Sequence, residues 1–128
     1  MMNDHFAVPF SIEGVNSGFT AVNGLAKIED KALKLEFQTA DAIIGVVKSD
    51  LKMISIPFSS IRKIELKKGW FSSKIILQTK SMSDLKSVPG AKSGFLELKI
   101  KKAHKLEAIE LNSHFQLEFS EYRLAQME

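Results

Sequence analysis

Two stretches of strict period-two alternation constrain this chain most. Leu33, Leu35 and Phe37 alternate with Lys34, Glu36 and Gln38, and Leu96, Leu98 and Ile100 alternate with Glu97 and Lys99. Successive side chains of an extended strand point to opposite faces, so the pattern marks strands with one face buried and one in water. Residues 19–28 precede the first of these across Glu29-Asp30-Lys31, and the pair reads as a hairpin. Residues 40–47 are short and apolar, and their β-branched Ile43, Ile44, Val46 and Val47 favour a strand over a helix. A turn at Ser49-Asp50 leads into residues 51–58, where Pro57, lacking an amide donor, marks an edge strand or the point where the chain leaves the ladder. Ile61, Ile64 and Leu66 continue the pattern, and residues 75–79 return it after a connection that contains Gly69. The longest stretch without a period is 80–94, with a turn signal at Pro89-Gly90.

Beyond Lys101 the period changes. His104, Ala108, Leu111, Phe115, Phe119 and Tyr122 recur at three, four and seven, which predicts one face of a helix. Phe115, Leu117 and Phe119 also alternate, so a short strand there is the alternative. Pro9, Gly14, Asn16 and Gly18 break any period in residues 1–18, which read as an irregular lead-in. A short alternating strand through Phe6, Val8, Phe10 and Ile12, lying against the domain, is the other reading of that segment. The remainder, 19–126, is expected to form one domain, in keeping with a chain of 128 residues. Six or seven short strands and one terminal helix predict a mainly-β architecture whose open end the helix covers.

Charge is unevenly spread. Residues 48–105 hold fourteen basic and four acidic residues, a balance of +10, against −3 for residues 1–47 and −4 for residues 106–128. Thirteen of the fourteen are lysine, Arg62 being the exception. Lysine is a point charge without the planar fork used for bidentate base recognition, so sequence-specific nucleic-acid reading is disfavoured and diffuse electrostatic contact is not. The chain has no cysteine, which excludes disulfides, thiolate nucleophiles and Cys-ligated metals. The first ten residues lack the basic-then-apolar order of a secretory signal, and no apolar run approaches the roughly 20 residues of a bilayer-spanning helix. A cytoplasmic location is the resulting expectation.

The order of segments resembles the pleckstrin-homology-like superfold, particularly its small bacterial and GRAM-like members. The resemblance rests on the hairpin at 24–38, on Ile54-Ser55-Ile56-Pro57-Phe58-Ser59-Ser60-Ile61 leading into Ile64-Glu65-Leu66, on the lysine-flanked Gly69-Trp70-Phe71 turn, on the returning strand at 74–79, and on the last strand and helix. It implies a bent seven-stranded barrel, or two packed antiparallel sheets, capped by a C-terminal α-helix. It also implies binding of lipids, peptides or protein domains and no chemistry. Members that bind phosphoinositides carry basic residues around the loop between their first two strands. The segment matching that loop, 28–32, holds Glu29 and Asp30 beside a single lysine, which opposes a phosphate there.

Catalytic signatures are lacking. His104 and His114 are ten residues apart, about 80° off a shared helix face, and no His-x-x-x-His, nucleophile elbow or Walker-type glycine loop occurs. No catalytic residue, metal ligand or cofactor is assigned. The segment that stands out is Trp70-Phe71 at a presumed hairpin tip, with Lys67, Lys68 and Lys74 beside it and Arg62 and Lys63 on the strand before it. Three readings apply. Trp70 can fold back over its own domain, the tip can anchor a protein partner or a second copy, or the aromatics can enter an anionic membrane while the lysines pair with its headgroups. Association with a protein or with itself is the leading expectation.

Overall fold

The computed structural model describes residues 7–47 and 49–127. Its regular elements are strands β1 (Val8–Ile12), β2 (Thr20–Glu29), β3 (Ala32–Asp41), β4 (Lys52–Pro57), β5 (Ile61–Lys67), β6 (Ser72–Thr79) and β7 (Phe95–Lys101), then helix α1 (Lys105–Gln126). Short 3₁₀ turns occupy Phe58–Ser60, Met82–Leu85 and Lys102–His104, and Val15–Gly18 is a turn with Asn16 and Ser17 in the left-handed region, at φ 52° and 55°. All strand pairings are antiparallel, in the order β4-β3-β2-β1-β7-β6-β5.

The strands bury what their alternation predicts. Leu33, Leu35 and Phe37 of β3 and Leu96, Leu98 and Ile100 of β7 are all buried. With Ile56, Ile64, Ile75 and Leu77 they form one core shared by the β1–β4 half, the β5–β7 half and the helix. β4 and β5 are not paired with each other. The two halves therefore pack as sheets, and the closed-barrel alternative is not what forms.

The lead-in is corrected in part. Val8, Phe10 and Ile12 are buried on one face of β1, which pairs with β2 along its length and with β7 at Ser11–Lys99. It is a central strand; its apolar alternation supplies a core-facing row that outweighs the helix- and strand-breaking residues around it. Phe6, included in that alternation, lies outside the described residues. A strand over 40–47 does not form either. β3 ends at Asp41, and its Oδ1 accepts from the amides of Ile43 (2.9 Å) and Ile44 (3.0 Å), folding the chain into a turn closed by Gly45 N–H to Asp41 O (2.8 Å). An Asx side chain that captures downstream amides competes successfully with the β propensity of its neighbours. The result is that Ile43, Ile44, Val46 and Val47 are exposed.

β2 and β3 are joined by Asp30 and Lys31, both in the left-handed region with φ of 56°. Two such residues between paired strands make a type I′ turn, whose twist matches that of the ladder. Lys34 Nζ spans this turn, donating to Glu29 (3.1 Å) and Asp30 (3.2 Å). β4 lies at one edge, with Pro57 its last residue, opposite Ala32. At the other edge α1 shields β5, and Gln116 Nε2 donates to the Ile64 carbonyl at 2.9 Å.

The helix is continuous through 115–119, so no strand forms there. Ala108, Leu111, Phe115 and Phe119 are buried and Tyr122 is half-buried. Phe58, at the turn after β4, receives this face edge-on, with centroids 5.4 Å from Phe115, 5.6 Å from Phe119 and 5.8 Å from Tyr122. Edge-to-face pairs set a positive ring edge against a negative face and add to the burial energy. Arg123 lies over the Phe119 ring at 5.7 Å. The segment between β6 and β7 is anchored by buried Leu85 and Val88. In the same segment, Gly90 (φ +88°) sits so close that a Cβ would stand 2.6 Å from Ile12 Cγ2.

Candidate functional site

The β5–β6 connection is a tight reversal. Lys67 stands opposite Lys74, and a Cβ on Gly69 would fall 2.2 Å from the Ser72 carbonyl oxygen. Glycine is needed here for close backbone approach, its φ being outside the left-handed region. The two side chains that follow project from the turn into water. Trp70 is 79% and Phe71 80% exposed, so the fold-back reading of Trp70 does not hold.

Register then assembles the rest. Ser72 pairs with Lys101, which brings the end of β7 and the start of α1 beside the tip. Lys102 and Lys105 line one open depression with Lys68, Gly69 and Trp70. Lys67, Lys68, Lys102 and Lys105 carry no ion pair among the described residues. The amino end of α1 lies here too, and the helix dipole adds positive potential to that of the lysines.

The residues singled out from sequence are thus partly gathered and partly dispersed. Trp70, Phe71, Lys67 and Lys68 share the tip. Lys74 is next to it on the outer sheet face, where it faces Lys67 on one side and Lys99 on the other. Like charges directly opposite one another are costly, and the row is relieved by Lys74–Glu97 (3.4 Å) and Lys99–Glu13 (2.8 Å). Arg62 and Lys63 belong to the far end of β5, beside the bulge between Ile61 and Lys63, and Lys63 pairs with Glu65 (3.8 Å). Lys102 and Lys105 were missed; the signal was the lysine run at 99, 101, 102 and 105, usable only with the β6–β7 register in hand.

At the β2–β3 hairpin carboxylates engage Lys27 and Lys34. Hydrogen bonds from Lys34 first to Glu29 and then to Asp30 raise its pKa above the ordinary lysine value. With β1 in the sheet, the connection between the first two strands becomes residues 13–19, which hold Glu13 and no basic residue. The hairpin leaves only Lys31 without an ion pair among the described residues, beside two carboxylates, and the 13–19 connection offers no cation to a phosphate. His104, just before α1, faces Glu107 (3.1 Å) and His114 faces Glu118, while His5 lies outside the described residues. Among the described residues no group of three or more His, Asp or Glu side chains is placed to hold a metal ion, and no helix is long and apolar enough to cross a membrane.

The chain matches no known family, and neither curated proteins nor solved structures gave a match. In general shape, seven antiparallel strands capped by a C-terminal helix are consistent with the PH-like superfold.

Proposed function

We propose that this chain is a non-catalytic interaction module of PH-like kind. The sheets and helix act as a rigid scaffold, and the β5–β6 tip is the docking element for a protein surface. One observation carries the reading: Trp70 and Phe71 stand almost fully in water on a constrained turn, ringed by four lysines without acidic partners. Aromatic anchors carried on a backbone already ordered by its turn spare the cost of ordering a loop on docking, and the lysines would select an acidic surface and speed encounter with it.

A photo-crosslinking residue at position 71, introduced in the cell that makes the protein, tests this. Discrete protein adducts are expected there, and background only from a probe at exposed Lys86. Equal labelling at both positions refutes the tip as the docking element. The membrane reading is favoured by lysine standing where arginine would serve a specific phosphate. Adducts confined to lipid, with salt-sensitive binding to anionic vesicles lost on Trp70→Ala/Phe71→Ala, would select it.

A further inference from the structure

Helix α1 has a second apolar face. On an ideal helix Leu106, Leu117 and Leu124 fall within about 20° of one another, on the side opposite buried Ala108, Phe115 and Phe119. All three are exposed, at 73%, 62% and 62%. Glu110 and Glu121 lie on the same stripe, exposed and without an ion pair among the described residues. Leu117 and Leu124 stand about 10 Å apart along the axis, with small Ser120 between them.

Resting on the tip as docking element, we propose that its partner is this stripe on a second copy of the chain, so that copies associate head to tail. Each molecule carries two apolar patches with rims of opposite charge. Tip against tip would set eight unpaired lysines face to face, and stripe against stripe would do the same with the glutamates. Only tip on stripe places Trp70 and Phe71 against Leu117 and Leu124 while Lys68 and Lys105 meet Glu110 and Glu121. The dipole of α1 has the same sense, positive at the tip end and negative toward Leu124. A molecule cannot make this contact with itself, because the tip sits at the start of α1 and Leu124 lies about 27 Å further along its axis. The interface is heterologous, so it builds rings or open chains and not a closed two-fold dimer. Two aromatics and two leucines make a small patch, which puts the association at the weak, salt-sensitive end of the range.

Two variants test the pairing: Trp70→Ala/Phe71→Ala, which removes the tip, and Leu117→Ser/Leu124→Ser, which removes the stripe. The substituted side chains are exposed, and circular dichroism checks that each variant folds. By light scattering the wild type should grow past a dimer as concentration rises, with the emission of Trp70, the single tryptophan, shifting blue in step. Each variant alone should stay monomeric, and an equimolar mixture should give a one-to-one dimer that grows no further. Glu110→Lys/Glu121→Lys should weaken association about tenfold or more, and Lys68→Glu/Lys105→Glu on the partner should recover it. A mixture that stays monomeric, or a variant that dimerises alone, overturns the head-to-tail contact. So does a wild type that is monomeric throughout. If it is monomeric while position 71 still crosslinks another protein, only the occupant is wrong; if those adducts are missing too, the tip reading falls with it. A monomer that binds anionic vesicles through Trp70 gives the tip to lipid.

Discussion

The Ser73 hydroxyl is buried on the core side of β6, opposite Ile100, and has no hydrogen-bond partner among the described residues. A buried donor without a partner costs its lost hydration. Ser73→Ala should therefore stabilise the domain by about 1 kcal/mol, read as a higher denaturant midpoint at unchanged slope. A drop in the midpoint would show that the hydroxyl is satisfied in solution. Lys34 predicts a pH effect of definite sign. Its hydrogen bonds to Glu29 and Asp30 raise the folded-state pKa. The stabilisation is then complete below the unfolded-state value and is lost as pH rises through the folded one. NMR titration of Lys34 should show a value above an ordinary lysine's, moving back down in Glu29→Gln and Asp30→Asn. The side chain lies at the surface, so the effect is local to the hairpin.

At the scale of elements, α1 is held by one aromatic seat. Phe58→Ala should cost about 3–5 kcal/mol, since it leaves Phe115, Phe119 and Tyr122 facing a void. Fluorescence and circular dichroism during denaturation would show whether helix and sheet still unfold together. The turn after β3 depends on Asp41. In Asp41→Ala the amides of Ile43 and Ile44 lose their acceptor, at a cost of about 1 kcal/mol. Their hydrogen exchange should quicken while that of β2 and β3 stays slow. These two elements also mark what the sequence could express. α1 was legible because one apolar stripe of several turns admits a single folded placement, and β3 and β7 because their alternation is unbroken. The 42–47 turn was not, because four β-branched residues carry strand propensity while one carboxylate decides the backbone. The tip was legible as far as Trp70, Phe71, Lys67 and Lys68, which are neighbours in the chain. Lys102 and Lys105 join it through a pairing between residues about thirty positions apart, and no local pattern encodes that.

For the molecule as a whole, β1 is the strand on which the most depends. It stands between β2 and β7 and joins the β1–β4 half to the β5–β7 half. Deleting residues 8–12 should abolish cooperative unfolding, leaving a broad transition or none, because it removes Val8, Phe10 and Ile12 from the core and opens two new edges. A sharp transition after the deletion would mean that the two halves hold together through α1 alone. The placement of β1 also sets a timetable. A ribosome makes this strand nearly ninety residues before its neighbour β7, so the nascent chain can zip β2 to β3 and β3 to β4 while one flank of β1 stays open. Closure of that seam is a long-range event of the kind that slows folding, and until it happens the growing polypeptide offers a chaperone a bare apolar ledge.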